Sequence, residues 1–537
     1  MQTCHKIVPL ILLLILQASC TSSSFKNTKS SSGVKNIIFV IGDGMGPGQI
    51  GLLLSYARQA PHSVFPNKKT AFDKLAEKGE MGISMTYAHN ALVTDSAASA
   101  TQMASGEFAG SEMIGSNYRG EKTTTILELA KKKGMSVGLV SDTRITHATP
   151  AAFAAHQKHR YHENKIARDL VELAPDVMLS GGLRHFIPME ASNKSSKIHF
   201  DLKKMTGGKI RIKSKGKDQK NLLEIIKSKG HKLVFTKNQL KDVEGKVLGL
   251  FSYSALPDGI KESRNKHSSK RTIPTLKELT EKSIDLLSKN EKGFFLMVEA
   301  GQIDWAAHYN DTGTMLHEMI RINETLEHIL SWAGSRDDTL VVVTADHETG
   351  GFGLSYSGDY LPSPKKLNGN VFRGKTFQPQ FNFGKLKILD KLYQQKKSYS
   401  EIFFEDFDYL AKNRQTPRSL ANIINNNTKF PITIKQAKRI LATEKNPFYQ
   451  NGHKYLGDKN VPVMGKMGAF YPYQLDDNRQ NLLAMEVATS QHVVWSTGTH
   501  TSTPVLVFAS GPPKVTKDFQ KILHHTELAN LLKKTIQ

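Results

Sequence analysis

The run K-N-I-I-F-V-I-G-D-G-M-G-P-G, residues 35–48, decides how the chain is read. Ile37 to Ile41 is continuously apolar, the pattern of a strand buried on both faces of a parallel sheet. It ends in Gly42-Asp43-Gly44, and the C-terminal end of a strand is where open α/β sheets place their ligands. Taken alone, Asp43 reads as a plain turn residue. Downstream, helical and strand-like segments alternate. Amphipathic Thr123–Lys133 is stopped by Gly134 and followed by a strand, Ser136–Ser141. Helical Asp169–Leu173 precedes a strand near Asp176–Leu179, closed by Gly181-Gly182. A helix near Thr275–Ser288, a strand Phe294–Glu299, one long helix from Ile303 through Leu330 and a strand Thr339–Thr344 follow. This alternation predicts an α/β fold: a doubly wound, mostly parallel central sheet flanked by helices. Val493–Ser496 and a final strand, Pro504–Ala509, are expected to close it.

Two regions interrupt the pattern. Residues 190–275 are lysine-rich and less regular. Residues 355–480 carry Pro, Gly, Asn and aromatic clusters and read as a large insertion, either a cap over the site or an oligomer contact.

The 537 residues are of ordinary globular composition, 39% hydrophobic and 23% charged, but 73 Lys and Arg against 49 Asp and Glu give a net charge of +24. Such a surplus attracts anions: nucleic acid, acidic surfaces or phosphorylated substrates. Lys203–Lys220 holds eight Lys or Arg and one acid, and Lys261–Arg271 adds a second cluster. Few aromatics are interleaved for stacking, so these clusters read as a solvated face, and no specific nucleic-acid binding is expected. Residues 1–20 read as a signal peptide: Lys6, then an apolar run from Ile7 to Leu16 too short to span a bilayer, then Q-A-S-C. Export to the periplasm or the medium is expected. Cleavage after Ser19 would leave Cys20 as a site for a lipid anchor, although Gln17 stands where lipoprotein signals carry an aliphatic residue. Residues 21–34 read as a flexible linker and 35–537 as the catalytic domain. Cys4 and Cys20, the two cysteines, both lie in the leader, so the body has no disulfide and no thiolate ligand.

The chemistry is centred on V-T-D-S-A-A-S-A-T, residues 93–101. Asp95 or Ser96 before an Ala-rich segment is a helix cap; at a strand-to-helix junction, Ser96 is also an exposed nucleophile facing backbone N–H groups. Four further segments bring metal-type ligands to strand ends. M-V-E-A-G-Q-I-D-W-A-A-H ends a strand with Glu299 and puts Asp304 and His308 four apart, on one helical face. V-V-V-T-A-D-H-E-T-G-G offers Asp346 and His347, T-H-A-T-P-A-A-F offers His147 and Thr149, and W-S-T-G-T-H-T offers His500. With no cysteine available, such Asp/Glu/His sets suit zinc, and an oxygen-rich subset suits magnesium.

Taken together and in this order, these segments resemble the bacterial and animal alkaline phosphatases. The likeness covers most of residues 35–355 and 485–513 and leaves 355–480 uncovered. It implies an alkaline phosphatase-like sheet with a cap- or crown-type insertion, hydrolysis of small phosphate monoesters, two Zn2+ and one Mg2+, and a homodimer. It implies that Ser96 becomes phosphoserine, that Asp43, Asp346 and His347 hold one zinc, and that Asp304, His308 and His500 hold the other. A third site would join Asp43 to His147, Thr149 and Glu299; Arg160 would grip phosphate and Asp95 would orient it. Two departures stand out. His147 occupies a place where some members have an acid, which puts the preference of the third site for magnesium over zinc or cobalt in doubt. Trp305 replaces a polar or basic residue.

Two other readings compete with this one. A phosphodiesterase of the same superfamily would cleave diesters faster, whereas the sulfatase motif C/S-x-P-x-R is absent around Ser96. A non-catalytic polyanion-binding protein would work through Lys203–Arg271 and be indifferent to chelation.

Overall fold

The computed structural model describes residues 33–334, 336–463, 470–471, 474 and 478–536. The expected leader, with Cys4 and Cys20, and the linker up to residue 32 lie outside the described residues. One sheet of ten strands organises the chain: β1 (Asn36–Gly42), β2 (Glu80–Met85), β3 (Ser136–Arg144), β4 (Val177–Gly181), β5 (Lys232–Val234), β6 (Val247–Leu250), β7 (Phe294–Ala300), β8 (Thr339–Ala345), β9 (Val505–Ser510) and β10 (Ile522–His524). Across the sheet they run β10-β2-β9-β8-β1-β7-β3-β4-β6-β5. Neighbours are parallel except β9, which is antiparallel to both β2 and β8.

The central strand β1 is buried at every position, as its unbroken apolar run requires. Its successive side chains serve two cores: Ile37, Phe39 and Ile41 pack on one face, Ile38 and Val40 on the other. Register then places the site. Gly42 pairs with Ala300 on β7 and with Ala345 on β8, and Ile41 pairs with Glu299. Asp43, Glu299 and Asp346 therefore emerge at one level along the C-terminal edge. Gly44 turns the chain there with φ +71°, and a Cβ would lie 2.7 Å from the Asp304 Cα, so only glycine fits.

The structure departs from the sequence reading in four places. The long helix Ile303–Leu330 is two helices, Gln302–His308 and Thr312–Ala333. Asn310 between them has φ 53°, and the Asp311 side chain caps the second by accepting from Thr314 N–H. Residues 190–275 are no detour, because they supply β5 and β6, the last two strands at one edge. Val493–Trp495 pairs with Phe352–Leu354 in a separate ribbon outside the main sheet. Finally, β9 does not close the fold: β10 and the helix His525–Ile536 follow it.

Within 355–463, helices Lys387–Tyr393, Pro417–Asn427 and Ile434–Ile440 and a π-helical turn Glu401–Phe407 share a third core. Leu392, Phe403, Leu420 and Ile440 pack there against Leu52 and Tyr56 of the helix Pro47–Gln59 and Met315 of the helix Thr312–Ala333.

Candidate active site

Ser96 is the first residue of the helix Ser96–Ser105, so its hydroxyl sits at the positive end of the helix dipole. Asp95 is the N-cap, and its carboxylate accepts from the backbone N–H groups of Ala97 and Ala98 at 3.1 and 3.3 Å. The same carboxylate accepts from Glu112 N–H at 2.8 Å and from Arg160 Nη1 at 2.9 Å. One side chain both caps the helix and holds the arginine. Ser96 Oγ lies 3.2 Å from His347 Nε2. His347 Nδ1 faces the Thr349 hydroxyl at 3.3 Å; that hydroxyl donates to Asp304 Oδ1 at 2.6 Å and so accepts from Nδ1–H. The Nε2 lone pair is left for Ser96 to donate to.

Among the described residues, three groups able to hold a cation lie about this hydroxyl, buried but for the half-buried His500: Asp43-Asp346-His347, Asp304-His308-His500 and Asp43-His147-Glu299. The donors fit one. Asp43 Oδ1 and Asp346 Oδ2 are buried and accept no hydrogen bond. His308 Nδ1 donates to the Gly498 carbonyl at 2.7 Å and His500 Nδ1 to the Thr94 carbonyl at 2.9 Å, so each Nε2 presents a lone pair. These two Nε2 atoms face each other at 3.2 Å with Asp304 beside them, an arrangement a divalent cation relieves. Asp304 and His308 adjoin at 3.2 Å, as their four-residue spacing predicts. His500 reaches them because His500–Thr501 pairs antiparallel with Glu348–Thr349.

The third group is held differently. Glu299 accepts from Thr143 Oγ1 at 2.8 Å, from Ser141 Oγ and from His147 Nδ1 at 3.2 Å, and Asp43 Oδ2 accepts from Thr149 Oγ1 at 3.3 Å. Arg160 Nη2 donates to His147 Nε2 at 3.3 Å, which ties this group to the arginine. Trp305 sets its ring edge-on to His147, centroids 6.0 Å apart.

The electrostatics follow from burial and crowding. Burial first, then the neighbouring carboxylates, pushes Asp43 well above the usual range; burial and Asp304 push Asp346 up to about 8. Burial also lowers three of the imidazoles: His147, His347 well below its usual value, and His500 down to about 4. At Asp95 burial is outweighed by Arg160 and the backbone donors, which hold the carboxyl low. Neutral imidazoles and crowded carboxylates are a cation's ligands rather than ion pairs.

Every residue the sequence singled out thus lies in one cluster. Sequence reading missed Ser141, Thr143, Thr349 and His525. Ser141 and Thr143 did carry a signal, two hydroxyls at a spacing of two at the end of an apolar strand, both turned toward Glu299. His525, whose Nε2 donates to the Asp346 carbonyl at 2.8 Å, carried none.

The alkaline phosphatase family profile matches residues 34–537. Alkaline phosphatase 3 of Bacillus subtilis is 36% identical over 348 residues, 63% of this chain and 66% of that protein, so the match spans just under two thirds of the relative's length. The cold-active alkaline phosphatase of a psychrophilic Shewanella superposes with a TM-score of 0.66 at 26% identity, covering 94% of this chain and 100% of that one. The Thermus thermophilus alkaline phosphatase shares the fold, with a TM-score of 0.73 at 22% identity over 97% of this chain and 95% of its own. The chain belongs to the alkaline phosphatase family.

Proposed function

We propose that this protein is an exported, metal-dependent phosphomonoesterase that converts phosphate monoesters to an alcohol and inorganic phosphate through a phosphoserine at Ser96. One observation carries the reading: a serine hydroxyl at a helix N-terminus, hydrogen-bonded to a neutral imidazole, lies among buried carboxylate oxygens that accept nothing else. In this reading Asp43, Asp346 and His347 hold one zinc and Asp304, His308 and His500 the other. Asp43, His147, Thr149 and Glu299 hold magnesium. Bound there, the cations neutralise charge on the entering and departing oxygens of a dianionic ester.

The chain's own groups do the rest. Arg160, aimed by Asp95, offers a planar fork to two phosphate oxygens, which lysine cannot imitate. Ser96 Oγ gives up its proton to solvent and forms the new O–P bond as the ester P–O bond breaks in line; the alcohol oxygen leaves with the electron pair and takes a proton from solvent. Water then attacks the phosphoserine phosphorus, Ser96 Oγ departs and regains a proton, and phosphate is released. These groups grip only the phosphoryl group, so any choice among alcohols falls to residues beyond them. Export is proposed from the apolar run Ile7–Leu16, and a homodimer from the family resemblance; signal-peptide processing and sedimentation test these two.

The test is p-nitrophenyl phosphate hydrolysis at alkaline pH by wild type and Ser96→Ala, before and after chelation and return of zinc and magnesium. Activity that needs Ser96, is lost on chelation and returns with metal is the expected result. Full activity in Ser96→Ala would overturn the phosphoserine, and faster cleavage of bis(p-nitrophenyl) phosphate would favour a diesterase.

A further inference from the structure

A cavity of about 380 Å³ opens beside the phosphoryl site, sharing His147, Arg160 and His308 with it. Its far side is built from residues the proposed hydrolysis does not use. Arg144 and Arg184 stand there, with Glu163 the single carboxylate between them. Arg144 binds Glu163 through two bonds of 2.6 and 3.1 Å, whereas Arg184 Nη2 lies 4.0 Å from the same carboxylate. From the insertion, Lys454 reaches over the rim, its Nζ 3.4 Å above the Tyr161 ring and 2.8 Å from the Tyr455 hydroxyl. Among the described residues no carboxylate pairs with Lys454. Among the described residues the far side therefore presents three cations against one acid, and its walls, Trp305 and Tyr161, are aromatic.

A monoester held with its phosphoryl group at Ser96 and Arg160 can extend its leaving group only into open space, and this cavity adjoins that position. A neutral alcohol would leave the charge surplus without an anion; a leaving group ending in an anion would meet it in a partly enclosed pocket where screening is weak. We propose that the cavity is a leaving-group subsite in which Lys454 and Arg184 select monoesters whose alcohol carries a second anionic group, a phosphate or carboxylate. The proposal rests on the phosphomonoesterase reading and adds the substrate class.

The test compares 4-(phosphonomethyl)phenyl phosphate with 4-methylphenyl phosphate, whose leaving groups differ by one anion that the enzyme cannot hydrolyse. Reading the ratio of the two kcat/KM values cancels differences in folding or metal loading between variants. Wild type is expected to favour the phosphonate-bearing ester by about tenfold at low ionic strength, less at high salt. Lys454→Gln is expected to cut that ratio at least fivefold, and Arg184→Gln to cut it independently. A wild-type ratio near one, or a ratio unmoved by both substitutions, would overturn the subsite. No turnover of either ester by metal-loaded protein would instead bring down the phosphomonoesterase reading itself.

Discussion

The C-terminal edge of the sheet and the segment 355–463 are built on opposite plans. At the edge, three parallel strands in fixed register deliver Asp43, Glu299 and Asp346 to one level, all fully buried, with backbone carbonyls fixing the direction of the His308 and His500 imidazoles. Segment 355–463 packs helices on a core it shares with the helices Pro47–Gln59 and Thr312–Ala333 but turns much of its remaining length to solvent: Tyr360 is 90% exposed and Val371 92%. The difference teaches a division of labour. Groups that must hold their geometry to a fraction of an ångström stand on strand ends, while groups that discriminate among leaving groups, such as Lys454, arrive on late-joining loops.

If that division holds, damage at the edge should abolish chemistry and damage in the insertion should cost stability or selectivity. His308→Ala should produce the largest effect, losing about one equivalent of bound metal and lowering activity by ~10³-fold or more, as measured by elemental analysis beside turnover. Arg160→Ala should keep its metal and weaken inhibition by inorganic phosphate by ~10–100-fold, the value of a charge-assisted bidentate contact. Full metal and activity in His308→Ala would break the comparison at its strongest point. In the insertion, Leu420→Ala removes a fully buried side chain and should cost ~2–5 kcal/mol in denaturant unfolding, with metal content unchanged.

The smallest effect is expected at the seam between the regions. There Glu318 is buried beside Arg321 and Asp142, and burial pushes its carboxyl from 4.5 up to about 8 despite the arginine. The folded chain then keeps a proton that the unfolded chain loses above pH 4.5. The stability this provides is present at acid pH and fades as pH rises toward 8. Glu318→Gln, which keeps an acceptor for Gly259 N–H, should flatten that decline and raise the melting temperature at pH 9 by about 1–2 °C. A variant that melts lower at pH 9 than at pH 6 by as much as wild type would contradict this.

Sequence alone made the edge legible and the insertion illegible, for physical reasons. A doubly buried parallel strand must be apolar along its length, so Ile37–Ile41 declares itself, and the residue after it is placed by topology. The Asp304–His308 pair was readable because helical spacing fixes it. His500 was visible as a motif, but its reach to Asp304 depends on a two-residue ribbon with Glu348–Thr349 too short to leave a pattern. The break at Asn310 was hidden because flanking residues keep helical periodicity, and only the Asn310–Asp311 pair hints at a stop. β5 and β6 were masked by surrounding lysines, which mark an edge of the sheet rather than its absence. Within 355–463, three helices and a π-helical turn, all but Pro417–Asn427 only seven residues long, share one core, which appears only after they pack.

The account stands on Ser96 carrying the phosphoryl group, and acid quenching tests that most directly. Metal-loaded protein mixed with excess phosphate monoester, stopped in acid and digested should yield a peptide spanning Ser96 heavier by one phosphoryl group, with the added mass on that residue and absent from Ser96→Ala. Turnover at full rate with no such peptide, or with the label on another residue, would contradict the account.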